Sequence, residues 1–122
     1  MSRASRLRDK TVLKTLCFVD GKWVGTDAKQ IDVVDPATGE TIATVPSFGA
    51  EETREALVAA ERAQKEWAAR PAKERGTIMR RWFDLMMENQ DDLGAILTAE
   101  QGKPLAEAKG EIAYAAAFIE FY

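Results

Sequence analysis

Leu16-Cys17-Phe18-Val19-Asp20-Gly21-Lys22-Trp23-Val24, followed by Ile31-Asp32-Val33-Val34-Asp35-Pro36-Ala37-Thr38-Gly39-Glu40-Thr41-Ile42-Ala43-Thr44-Val45, decides the fold class. Asp20-Gly21 separates two apolar, β-favouring runs. A type I′ hairpin turn needs positive φ at both central residues, which Asp and Gly tolerate. Phe18 and Trp23 supply large side chains for one sheet face. After a polar connection at 25–30, Ile31, Val33 and Val34 form a short strand. Asp35-Pro36-Ala37-Thr38-Gly39 then reads as a turn: Asp35 bonds backbone amides, Pro36 presets φ and Gly39 takes the left-handed exit. Thr41 to Val45 returns and Pro46 ends the strand. Two such hairpins are marginal in water and need a layer to lie on.

That layer is helical. Ala50 to Ala69 carries Glu51 and Glu52 in its first turn, favourable for the helix dipole, and a stripe of Thr53, Leu57, Ala60, Gln64 and Trp67. Pro71 suits the first turn of a second helix, with Ile78, Trp82, Leu85 and Met86 on one face and Met79, Phe83 and Met87 widening it. Asn89 to Asp92 reads as a break or a new cap before a shorter helix with Leu93, Ile96 and Leu97. Gly102 stands where a helix C′ residue belongs, with Pro104 just beyond. The last helix has one stripe at Leu105, Ala108, Ile112, Ala115 and Ile119 and another at Tyr114, Phe118 and Phe121, the pattern of a helix between two layers. It carries no stop signal before Tyr122, so the chain reads as truncated in mid-fold. The expected fold is α+β: two short hairpins packed against four helices.

The 122 residues are 46% hydrophobic and 30% charged, a globular balance rather than a disordered one. The 17 basic and 20 acidic residues sum to −3, which argues against a nucleic-acid surface. No apolar run reaches the roughly 20 residues that cross a bilayer, so no membrane partner is expected. Arg3, Arg6, Arg8 and Lys10 mark residues 1–15 as a disordered basic tail, with a weak organelle presequence as the other reading. A single Cys rules out an internal disulfide, and a cytoplasmic location is expected.

The absence of His excludes Ser-His-Asp and Cys-His nucleophiles within the chain and leaves zinc without its usual ligands. No Gly-rich phosphate loop is present. Cys17, in a strand beside Phe18, reads as a small buried hydrophobe rather than a nucleophile. Glu51-Glu52 and Asp91-Asp92 are adjacent pairs and do not converge on one helix face, so they read as first-turn helix charges. Lys103, held between Gly102 and Pro104, could bind an anion; serving the carbonyls of the helix just ended is the simpler role. No catalytic constellation emerges.

The motifs nevertheless form a recognisable series. Phe18-Val19-Asp20-Gly21-Lys22-Trp23 is similar to the Ile-Asn-Gly-x-Trp hairpin that opens aldehyde dehydrogenases, and Asp35-Pro36-Ala37-Thr38-Gly39-Glu40 resembles their Asn-Pro-Ala-Thr-Gly-Glu turn. Glu100-Gln101-Gly102-Lys103-Pro104 resembles their Glu-x-Gly-Lys-Pro element. The run from Gly110 through Glu120 looks like the succinate-semialdehyde branch. Asp20 and Asp35 replace the commoner Asn, which preserves the turn chemistry.

The resemblance, from about Phe18 to Tyr122, implies the first part of the α/β coenzyme-binding domain of a much longer, homo-oligomeric enzyme. Such enzymes oxidise small aldehydes to acids with NAD or NADP through a thiohemiacetal on a catalytic Cys, with a Glu base and an Asn at the oxyanion. All three would lie beyond Tyr122, as would the main coenzyme contacts, so no catalytic or cofactor-binding residue is expected in this chain and no activity from it alone. By the same resemblance Tyr114 and Phe118 line the aldehyde tunnel, while the Val34 carbonyl and the Glu100 carboxylate contribute to a structural monovalent-cation site. The competing reading is a small non-catalytic helical interaction module with a β-hairpin cap, which docks or self-associates through its last helix.

Overall fold

The computed structural model describes residues 7–122. Cys17–Val19 (β1) and Lys22–Val24 (β2) pair antiparallel, with Phe18 directly opposite Trp23 and their rings 4.9 Å apart. Asp20 and Gly21 have φ of 50° and 74°, the two positive values that the Asp-Gly signal predicts. Gln30–Val34 (β3) and Thr41–Pro46 (β4) form the second antiparallel pair, with an irregular register between Val33 and Val34. In the turn between them the Asp35 carboxylate accepts the Ala37 amide at 2.8 Å, and Gly39 has φ of 73°. The two pairs are separate two-stranded sheets.

Four helices follow: Ala50–Ala69 (α1), Ala72–Glu88 (α2), Gln90–Gln101 (α3) and Leu105–Phe121 (α4). At the start of α1 the Gly49 amide donates to the Glu52 carboxylate at 2.8 Å, which satisfies one amide that the helix itself cannot. Asn89 closes α2, its backbone and side-chain nitrogens both donating to the Leu85 carbonyl. Gly102 ends α3 in the left-handed conformation, and its amide donates to the Thr98 carbonyl. A side chain at Gly102 would also meet Pro36 of the β3–β4 turn, so the small residue lets the second hairpin approach the end of α3.

The core lies where α3 crosses α4 beside α2. It is built from Ala99, Ala108, Ala116 and Gly94, and among the described residues no large side chain is fully buried. Three expectations shift. The side of α2 turned inward is Met79, Phe83, Met86 and Met87, whereas Ile78, Trp82 and Leu85 stay exposed. On α4 the inward stripe is Ala108, Ile112, Ala116 and Ile119, with Leu105 and Ala115 exposed. Along α1 only Ala56, Ala59 and Trp67 are partly covered; Leu57 and Ala60 are open. α1 meets the β1–β2 hairpin through an Arg62–Asp20 ion pair of 2.8 Å.

Residues 1–6 of the expected tail lie outside the described residues. From Leu7 the chain lies on α3, with Leu7 buried and a short 3-10 turn at Lys10–Val12. An apolar side chain and backbone amides hold this segment, and neither appears in its basic composition.

Candidate functional site

The α2–α3–α4 packing presents one side of α4 outward. Tyr114 and Phe118, one helical turn apart, point to this open side, with exposures of 68% and 49%. Their rings meet edge to face at 5.0 Å, a favoured aromatic geometry. With Ala117, Phe121 and Tyr122 they line a shallow cavity of about 260 Å³. Phe121 is 81% exposed and pairs edge to face with Tyr122. Beneath them α4 is fastened to α2 by a bond of 2.7 Å from Arg80 to Glu120. The site is therefore an apolar aromatic ledge with two hydroxyls, those of Tyr114 and Tyr122, on a fixed helix. It can pack against a small molecule and offer hydrogen bonds from either ring tip.

The other expected residues fall elsewhere. Val34 ends β3 and Glu100 lies near the end of α3, both exposed; Pro36 and Gly102, each two residues further along, touch. Among the described residues no group of three or more His, Cys, Asp or Glu side chains could hold a metal ion. Cys17 is half-buried in β1 opposite Val24. The Lys103 ammonium pairs with the Glu111 carboxylate on α4. Glu51, Glu52, Asp91 and Asp92 all lie in first turns, as expected.

Asp91 and Asp92 do more than that. Asp91 receives the Lys109 ammonium at 2.7 Å and the Arg8 guanidinium at 3.0 Å. The hydrogen bond from Lys109, then its charge, and more weakly the charge of Arg8 hold the Asp91 carboxyl below its ordinary 3.8. With the folded value below the unfolded one, this stabilisation is complete above the unfolded value. It is lost as the pH falls through the folded value. A carboxyl-carbon NMR titration is expected to place the Asp91 midpoint below 3.8. Lys109→Met is expected to raise it. A midpoint unmoved by Lys109→Met contradicts this pairing.

The arrangement of hairpins and helices has counterparts among solved structures. The family model described as Aldehyde dehydrogenase family matches residues 23–122. The chain belongs to the aldehyde dehydrogenase family. Among family members, glutarate-semialdehyde dehydrogenase of Pseudomonas aeruginosa is 57% identical over 118 residues, covering 96% of this chain and 24% of the relative. Succinate-semialdehyde dehydrogenase (NADP+) of Escherichia coli is 52% identical over 118 residues, with 96% and 24% covered. The crystal structure of succinate-semialdehyde dehydrogenase from Burkholderia pseudomallei superposes with a TM-score of 0.89 at 52% identity, covering 94% of this chain and 24% of that one. The chain thus spans about a quarter of the length of the aldehyde dehydrogenases it matches. No helix among the described residues is long and apolar enough to cross a membrane.

Proposed function

We propose that this chain is the amino-terminal quarter of an NAD(P)-dependent aldehyde dehydrogenase that acts on a short semialdehyde bearing a terminal carboxylate, of the succinate-semialdehyde type. The observation that carries the proposal is the 52–57% identity, over nearly the whole chain, to enzymes named for succinate and glutarate semialdehyde. The catalytic Cys, the Glu base, the oxyanion Asn and the coenzyme contacts belong to sequence outside residues 1–122. The chain alone is proposed to be inactive, and the complete enzyme to be a cytoplasmic homo-oligomer.

A chimaera tests this reading. The matching 118 residues of the E. coli enzyme are replaced by those of this chain. The chimaera is expected to oxidise succinate semialdehyde with NADP within about tenfold of the parent, a difference of about 1.4 kcal/mol in barrier. The 122-residue chain by itself is expected to reduce no NAD or NADP. A folded chimaera without activity on any short semialdehyde overturns the proposal.

Within that enzyme Tyr114 and Phe118 line the approach to the reacting carbonyl, a role supported by their exposure, their mutual packing and the hydroxyl at the ring tip. In the chimaera Tyr114→Ala is expected to raise KM for succinate semialdehyde on the order of tenfold, with a smaller change in kcat. An unchanged KM removes Tyr114 from the tunnel. The Val34 carbonyl and the Glu100 carboxylate are proposed to supply two oxygens to a monovalent-cation site, the donor type that hard cations prefer. The Pro36–Gly102 contact between their segments supports this.

The isolated chain is proposed to self-associate through Tyr114, Phe118, Phe121 and Tyr122, since a contiguous apolar patch is unfavourable in water. Light scattering is expected to show a mass rising with concentration, and Phe118→Ser with Phe121→Ser is expected to return it towards the monomer. A monomer at every concentration contradicts this.

A further inference from the structure

Outside the aromatic ledge, the most developed polar arrangement joins the first described residues to α3. Asp92 is 7% exposed, and its two oxygens are used in parallel: Oδ1 accepts the Arg8 amide and Oδ2 the Asp9 amide, each at 2.9 Å. Asp9 in turn accepts the Thr11 amide at 2.8 Å, which starts the 3-10 turn. Leu7 is buried just before these bonds, and the Arg8 guanidinium reaches Asp91. Arg8, Asp91, Asp92, Thr98, Leu105 and Lys109 all line one cavity of about 600 Å³. The hydroxyl of Thr98 is buried on this side without a hydrogen-bond partner.

We infer that Leu7 to Val12 form a strap latched by the single carboxylate of Asp92, and that release of this latch withdraws the Arg8 wall of the open cavity and increases access to Thr98, which is buried at its inner side. The latch grips backbone amides. It is therefore indifferent to most side chains at positions 8 and 9 but intolerant of a residue lacking an amide proton. The Arg8–Asp91 pair is exposed, and pairs of that kind add little. The two amide bonds to a buried carboxylate are of the charge-assisted kind, and deleting the acceptor leaves both donors unpaired.

Hydrogen exchange of the Asp9 amide in the 122-residue chain tests the latch. Asp92→Ala is expected to speed it at least about tenfold, and Arg8→Ala less than about threefold. Arg8→Pro removes one latched amide without touching α3 and is expected to speed it about tenfold. Should Asp92→Ala also loosen the amides of α3, the Arg8→Pro result decides. For the cavity, Thr98→Cys is made in a Cys17→Ser background, where thiol labelling is expected to accelerate about tenfold on adding Arg8→Pro. The inference is overturned if Arg8→Ala loosens Asp9 as much as Arg8→Pro does. It is likewise overturned if Arg8→Pro leaves Asp9 exchange or the labelling of position 98 unchanged.

Discussion

Replacing Gly25 by alanine is expected to destabilise the chain by about 2–6 kcal/mol, from backbone strain of about 1–3 kcal/mol together with overpacking of similar size. Gly25 has φ of +106°, a conformation that side-chain-bearing residues rarely adopt. An added Cβ would stand 2.4 Å from Cγ and 2.7 Å from Cβ of Pro46, and 3.1 Å from the Phe48 ring. The Pro46 ring is buried at the end of β4 and cannot rotate away. The clash therefore separates the first hairpin from the second. Urea unfolding followed by tryptophan fluorescence measures the loss, with Trp23 two residues away as a local reporter. Gly76 is the control. It lies inside α2, and an added Cβ there would meet nothing within 4 Å, so Gly76→Ala is expected to stabilise by about 0.5–1 kcal/mol. A Gly25→Ala chain as stable as the unsubstituted one contradicts the close approach of the two hairpins.

Gly94→Leu is expected to cost about 3 kcal/mol, at the upper end of ordinary overpacking. The reason differs from that at Gly25, because Gly94 has a plain helical backbone. Its Cβ position lies 2.9 Å from Lys109 Cγ and 3.3 Å from the Lys109 backbone nitrogen, so the obstacle is the main chain of α4 itself. In an open helix Gly→Ala gains about 1 kcal/mol; at position 94 that gain is set against the displacement of α4. Leucine adds three further carbons where α4 already stands. The shift would also disturb the bond from Gln90 to the Lys109 carbonyl and the Lys109–Asp91 pair. Thermal unfolding followed by circular dichroism tests this. A melting temperature for Gly94→Leu equal to that of the unsubstituted chain would show that α3 and α4 do not cross closely at this point.

The hairpins and helix ends are legible in the sequence because single residues dictate them. Asp20-Gly21, Gly39 and Gly102 all take the positive φ that their contexts require. The facing of α2 is not legible. Ile78, Trp82 and Leu85 adjoin Met79, Phe83 and Met86 around the helix, and periodicity cannot tell which of two neighbouring apolar stripes α4 will cover. The seating of Leu7 to Asp9 leaves no trace either, since its donors are backbone amides that every residue but proline carries. Lys103 escapes the sequence for a related reason. Its partner Glu111 is eight positions away, beyond the three- and four-residue spacings that helix rules cover. At the candidate site the four-residue spacing of Tyr114 and Phe118 foretells the contact between their rings, because that contact is local to one helix.

Alanine and glycine at the α3–α4 crossing have no rotamers to exchange. These two helices cannot repack by swapping side-chain conformations, as a leucine-rich interior can, and must move together or not at all. Tyr114 and Phe118 stand on the far side of that inflexible pair. Natural variation can therefore resize or re-polarise the ledge residue by residue, while the scaffold beneath keeps its alignment.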